Sequence, residues 1–85
     1  MQVADLRGQV RSINEQLDQA GLRVDLNLAA RFEDLAQIVA EALDAAAPHG
    51  LAAPYWIGLD RDTYHARLAD LRRWADTVLR QHYGG

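Results

Sequence analysis

The sequence predicts an all-α fold of three principal helices, and three observations lead to this prediction. Three long segments carry apolar residues at spacings of three and four, which places their side chains on one face of an α-helix. A single short segment has the alternating pattern of a β-strand, and a lone strand has nothing to pair with. Glycine, proline and aspartate separate the helical segments. The 85 residues therefore form one small domain, with helices predicted at 1–20, 28–46 and 60–83.

The first helix carries the most regular pattern in the chain. Its apolar residues alternate between steps of three and four, the heptad spacing of a coiled-coil seam: Val3, Leu6, Val10, Ile13, Leu17, Ala20 and Val24. A stripe this narrow is covered by a neighbouring helix, either in the same chain or in a second copy. We predict a homodimer; an antiparallel bundle within one chain has the same spacing and is the alternative. The residues expected in the oligomer interface are Val3, Leu6, Val10, Ile13 and Leu17.

Glycine ends this helix, and an unusual segment follows it. Gly21 adopts the left-handed backbone conformation without strain, and the next residue would contact Leu17 in a Schellman motif. Residues 22–28 then alternate between apolar and polar side chains, which is a strand pattern. We predict instead an extended connector in which Asp25 or Asn27 caps the second helix. A short strand that pairs with its twin in a dimer is the alternative.

The second and third helices carry broader apolar stripes than the first. In the second helix Ile38 and Leu43 widen the stripe, which predicts that this helix is the most central one. Pro48 ends the helical segment because proline restrains the residue before it. Asp60 is the expected N-cap of the third helix. The main stripes contain Leu28, Phe32, Leu35, Val39, Ala42 and Ala46, and then Tyr64, Leu68, Leu71, Ala75 and Val78.

The loop at 48–59 contains a compact apolar group. Tyr55, Trp56 and Ile57 lie there, after two prolines and a glycine and directly before Gly58. Because aromatic side chains dominate the energetics of protein interfaces, these three residues are the candidates for binding a partner. In the alternative interpretation, Trp56 and Ile57 fold back and cap the bundle. Either way, loss of a buried tryptophan would cost about 3–5 kcal/mol.

Composition excludes several kinds of chemistry. The chain has no cysteine, so it has no disulfide, thiolate metal ligand or cysteine nucleophile. All nine basic residues are arginine, which is typical of a high-GC bacterial genome. The net charge of −3 argues against nucleic acid and anionic membranes as partners. No targeting or membrane-spanning segment is present in the sequence, so we expect a cytoplasmic protein.

Two polar clusters have simpler explanations than a functional site. Asp60, Asp62 and His65 are close enough in sequence to suggest a metal, but helix capping and the helix dipole account for both acids. The arginines of the third helix alternate with Asp70 and Asp76, which predicts an ion-paired, solvated face. The sequence therefore predicts no catalytic residue, no cofactor and no metal. The arginines of the third helix among which Asp70 and Asp76 lie are Arg67, Arg72, Arg73 and Arg80.

The last third of the chain resembles a known family. The string LRRWADTVLRQHY, preceded by PYWIGL, is similar to small actinobacterial proteins of unknown function that are often carried on plasmids, prophages or other mobile elements. The residues that carry the likeness are spaced apolar ones: Leu71, Trp74, Val78, Leu79 and Tyr83. In that family the chain continues past the tyrosine into a segment rich in proline and tryptophan, whereas this sequence stops at Gly85, as expected of a truncated product or a domain. It implies no activity and no catalytic residue.

These observations predict a function based on assembly. The predicted role is a non-enzymatic module for protein–protein interaction and oligomerisation, homodimeric through the first helix. One alternative is a DNA-associated accessory or regulatory protein of a plasmid or phage. The other is a small enzyme or enzyme regulator.

Overall fold

Three helices make up the part of the chain that the computed structural model describes, residues 3–46 and 56–83, with side chains from Leu6 onward. They are α1 (Val3–Ala20), α2 (Leu26–Ala42) and α3 (Arg61–Tyr83). No strand occurs in these two ranges, and the all-α prediction is confirmed. None of the helices in the described ranges is long and apolar enough to cross a membrane.

Helices α1 and α2 form a hairpin, and α3 packs against both of them. Arg72 of α3 donates from Nε to Asn14 Oδ1 at 2.8 Å, and the Arg7 guanidinium lies 4.6 Å from the Tyr83 ring centroid. These contacts show that α3 runs antiparallel to α1. The first turn of α3 instead contacts the residue that precedes α2, so α2 and α3 begin at the same end of the bundle. We call this the connector end, after the residues 21–25 that join α1 to α2.

The apolar seam of α1 forms part of the core of a single chain. Four of its residues are between 0% and 5% exposed, and α2 and α3 supply the side chains that surround them. The structure therefore corrects their assignment to an oligomer interface, because side chains buried within one chain are not a surface for a second copy. The four are Leu6, Val10, Ile13 and Leu17. The side chain of Val3 lies outside the described residues.

The stop of α1 and the start of α2 follow the sequence closely. Gly21 has φ of +60°, and its N–H donates to the carbonyls of Leu17 and Asp18, both at 3.2 Å. The predicted stop is confirmed, whereas the Schellman contact is wrong because Leu22 is largely exposed. Asp25 caps α2: its Oδ1 accepts from the Leu28 N–H at 3.1 Å. Of the two predicted caps, the structure uses this one.

Helix α2 ends four residues earlier than predicted. Its last helical residue is Ala42, and Asp44 then takes a φ of +53°. The Ala45 N–H reaches back to the Ala40 carbonyl at 2.9 Å, which is the six-to-one bond of a Schellman motif. Aspartate tolerates the left-handed region better than most residues do, so it takes the place that glycine usually fills. Of the predicted loop at 48–59, only residues from Trp56 onward are described, and Tyr55 lies outside.

Candidate functional site

Trp56 belongs to the core and not to an exposed binding surface. Its side chain is 2% exposed, and its Nε1–H donates to the buried carboxylate of Glu33 at 2.5 Å. Its ring packs edge-on against Tyr64, with the centroids 5.7 Å apart. The prediction that Trp56 binds a partner is corrected by this burial. The alternative, that it folds back onto the bundle, is the arrangement observed.

Tyr64 holds the connector against the first turn of α3. Its hydroxyl accepts from the Asp25 N–H and donates to the Asp25 carbonyl, both at 3.1 Å. The neighbouring His65 places Nε2 2.9 Å from the Leu22 carbonyl oxygen and donates to it in the tautomer that carries hydrogen on Nε2. Two successive residues of α3 therefore hold both ends of the short segment 22–25 in place.

The held backbone turns one of its edges outward. Asp25 is extended, with φ of −128° and ψ of 96°, and both of its backbone groups bind the Tyr64 hydroxyl. No cis peptide bond occurs among the described residues. In a trans peptide the C=O of one residue points opposite to the N–H of the next, so the Val24 carbonyl points away from Tyr64. By the same geometry, the Leu26 N–H also points away from it.

Large apolar side chains are exposed along this segment and at the first residue of α2. Leu22 is 77% exposed, Val24 40% and Leu26 45%; we call these three residues the connector surface. Ile57, a predicted partner-binding residue, is 69% exposed and follows Trp56 at the same end of the bundle. Exposed leucine, valine and isoleucine side chains gathered at one place are typical of a docking surface. The connector end is therefore the candidate functional site.

Charges alternate with the apolar side chains in the connector. Arg23 and Asp25 flank Val24, and the Arg23 guanidinium lies 3.7 Å from the Asp25 carboxylate. The Arg23 side chain is mostly in solvent, while that of Asp25 is partly covered because it also caps α2. The connector thus offers one positive and one negative group next to its apolar residues.

The third helix carries the ion pairs that the sequence predicts. Arg73 contacts Asp70 at 3.1 Å, and Arg80 pairs with Asp76. Arg72 pairs with a carboxylate of α1 instead, since its Nη2 lies 2.7 Å from Asp18. These arginines therefore serve the surface and the packing of α3 against α1.

The cluster of Asp60, Asp62 and His65 has structural roles. Asp60 Oδ1 accepts from the Thr63 N–H at 2.7 Å, and this hydrogen bond lowers the pKa of Asp60 below its ordinary value. His65 is engaged with the connector. Within residues 3–46 and 56–83, no group of three or more histidine or acidic side chains is arranged to hold a metal ion. His49 lies outside these ranges.

No protein-family model, curated protein or solved structure matches this chain. The resemblance to actinobacterial proteins stays a prediction for that reason. Sequence reasoning missed one buried polar residue, Glu33, because its burial results from a contact with Trp56, 23 positions away. It also missed the exposure of the connector, although the alternation of apolar residues in 22–28 was the available signal.

Proposed function

We propose that this protein is a non-enzymatic protein–protein interaction module that forms a homodimer through its connector surface. The observation that carries the proposal is the exposure of Leu22, Val24 and Leu26 on a backbone held by Tyr64 and His65. The predicted function is retained, but its location moves from the buried seam of α1 to the connector end.

A held backbone supports docking because it reduces the cost of binding. Ordering a flexible loop at an interface consumes part of the gain from burying apolar area. Here the hydrogen bonds to Asp25 and Leu22 already order the segment. Covering the exposed leucine and valine side chains would then contribute about 25 cal/mol for each Å² of apolar area removed from water.

The charges of the connector favour a second copy of this chain as the occupant. A dimer with two-fold symmetry uses the same patch on both subunits, so the patch must complement itself. With the axis near Val24, the two connectors run antiparallel, and each Arg23 faces the Asp25 of the other copy. The same arrangement brings Leu22 opposite Leu26. The same dimer contact therefore pairs opposite charges and also buries apolar side chains of the two copies against each other.

The proposal is tested by measuring the molar mass of the protein in solution. We expect sedimentation equilibrium at micromolar concentration to give twice the chain mass of 9.5 kDa. Replacing both Leu22 and Leu26 with serine should yield a folded monomer, because neither side chain contributes to the core. Circular dichroism checks that the variant remains helical.

A matched control uses an exposed apolar residue outside the connector. Ile38 is 37% exposed on α2, close to the exposure of Val24, and Ile38→Ser should leave the dimer intact. A wild-type mass of one chain would refute the proposal. So would equal dissociation of the dimer by the Ile38 variant and the connector variant.

A further inference from the structure

A groove between α1 and α3 lies away from the connector end. It has a volume of about 400 Å³, within the range of small-molecule sites. Val10 and Leu79 form its floor, and both are almost fully buried. Its rim carries three guanidinium groups, from Arg7, Arg11 and Arg80. The groove thus combines an apolar floor with a charged rim, since three carboxylates line it beside the three guanidinium groups.

Two of the three carboxylates that line the groove are already engaged by arginine. Asp76 pairs with Arg80, and Asp18 is bound by Arg72 at 2.7 Å. Glu15 is the third carboxylate. Asp76 and Arg80 neutralise each other, and Asp18 is taken by Arg72 from outside the lining. Arg7 and Arg11 are therefore opposed by Glu15 alone, which is an excess of one positive charge.

Arg7 and Arg11 are arranged to act together on one anion. They are four residues apart on α1, so their side chains lie on the same face of the helix. The Arg7 guanidinium lies over the Tyr83 ring, 4.6 Å from its centroid, in a cation–π contact. A guanidinium carries five N–H donors in a fixed planar fork, which matches the geometry of a carboxylate or phosphate. These donors can form charge-assisted hydrogen bonds with an oxyanion.

We infer that this groove binds a small organic anion, a phosphate or carboxylate attached to an apolar or aromatic body. The oxyanion lies between Arg7 and Arg11, and the apolar body packs on Val10 and Leu79. The site is separate from the connector surface, so it does not depend on dimer formation.

Binding is tested by titrating the full chain with phenyl phosphate, benzoate and inorganic phosphate, followed by amide NMR shifts. We expect saturable binding of phenyl phosphate or benzoate, with shifts confined to the groove, and the tighter of the two identifies the anionic group. Inorganic phosphate should bind at least about tenfold more weakly than phenyl phosphate, because it has no apolar body to pack on the floor. Equal affinity for these two, or no saturation by any probe, would overturn the inference.

Two variants, each lacking one positive charge, distinguish ligand binding at a specific site from general electrostatic attraction to the protein. Arg11→Gln removes a donor from the groove, and we expect about tenfold weaker binding or more. Arg73→Gln removes a charge from the outer face of α3, where Arg73 contacts Asp70, and should change affinity less than about twofold. Equal weakening by both variants would show nonspecific attraction and refute the site. Circular dichroism confirms that both variants are folded.

Discussion

The seam of α1 and the connector that follows it differ in what covers their apolar side chains. Leu6 and Leu17 of the seam are buried under α2 and α3, whereas Leu22 and Val24 of the connector are exposed. The seam lies along the length of the bundle, so two helices can pack over it. At the connector end, α3 contributes Tyr64, whose hydroxyl binds backbone and leaves the apolar side chains uncovered. Regular spacing of apolar residues thus places their side chains on one face. Whether that face is buried depends on which other parts of the fold pack against it.

The sharpest test of this difference removes the same side chain from each region. Leu6→Ala should destabilise the protein by about 2–5 kcal/mol, because Leu6 is fully buried and the change leaves a cavity. A loss of this size is a large part of the total stability of a small domain. The measurement is the free energy of unfolding from urea denaturation.

The matched change in the connector is Leu22→Ala. We expect its free energy of unfolding to stay within about 0.5 kcal/mol of the wild type, because the Leu22 side chain lies in solvent. The denaturation is followed at a protein concentration low enough for monomer, so that a dimer contact does not contribute. Similar losses for the two alanine variants would show that the connector is covered within the chain.

Local signals in the sequence were enough to predict the three helices and most of the residues at which they begin and end. Gly21, Asp25 and Asp60 have the chemistry that stops or caps a helix, and each acts as its residue type predicts. The end of α2 was missed because Asp44 adopts a backbone conformation that its residue type permits but does not favour. That choice depends on the packing around it, which no local pattern reveals.

The candidate site was harder to predict, because it depends on contacts between distant residues. The heptad pattern gives the buried face of α1 but does not say which molecule buries it. Trp56 is buried because Glu33 and Tyr64 lie beside it in the fold. The connector is held by the Tyr64 hydroxyl, 39 positions away, which binds both backbone groups of Asp25 and does not cover the apolar side chains. From the sequence alone, the alternation of apolar and polar side chains within residues 22–28 was the one available indication of this site.

A smaller effect is expected from loosening the connector without touching the seam. Tyr64→Phe removes the hydroxyl that binds Asp25, while the ring remains to pack against Trp56. The Asp25 carbonyl keeps the Ala29 N–H as a donor, so the main loss is the acceptor for the Asp25 N–H. We expect about 1 kcal/mol of destabilisation.

Amide hydrogen exchange locates this change. Exchange in Tyr64→Phe should accelerate at Asp25 and its neighbours relative to the α1 seam, and dimer affinity should fall because the connector is no longer held in place. A uniform acceleration over all three helices would show that the hydroxyl supports the whole fold. Unchanged exchange at Asp25 would show that the hydroxyl does not hold the connector.

A further, pH-dependent effect is expected from the titration of Asp60, which caps the turn that carries Tyr64. The Thr63 N–H lowers the pKa of Asp60 in the folded state, so its contribution to stability is present above the unfolded pKa and is lost as the pH falls through the folded pKa. Asparagine also caps helices but does not titrate in this range, so Asp60→Asn should keep the cap and lose less stability between about pH 5 and about pH 3. The change in stability between the two pH values is measured by thermal melting for the wild type and for Asp60→Asn. The difference between these two changes is the contribution of Asp60, because all other acidic residues are the same. Identical pH dependence in wild type and variant would show that the ionised Asp60 carboxylate contributes nothing to stability.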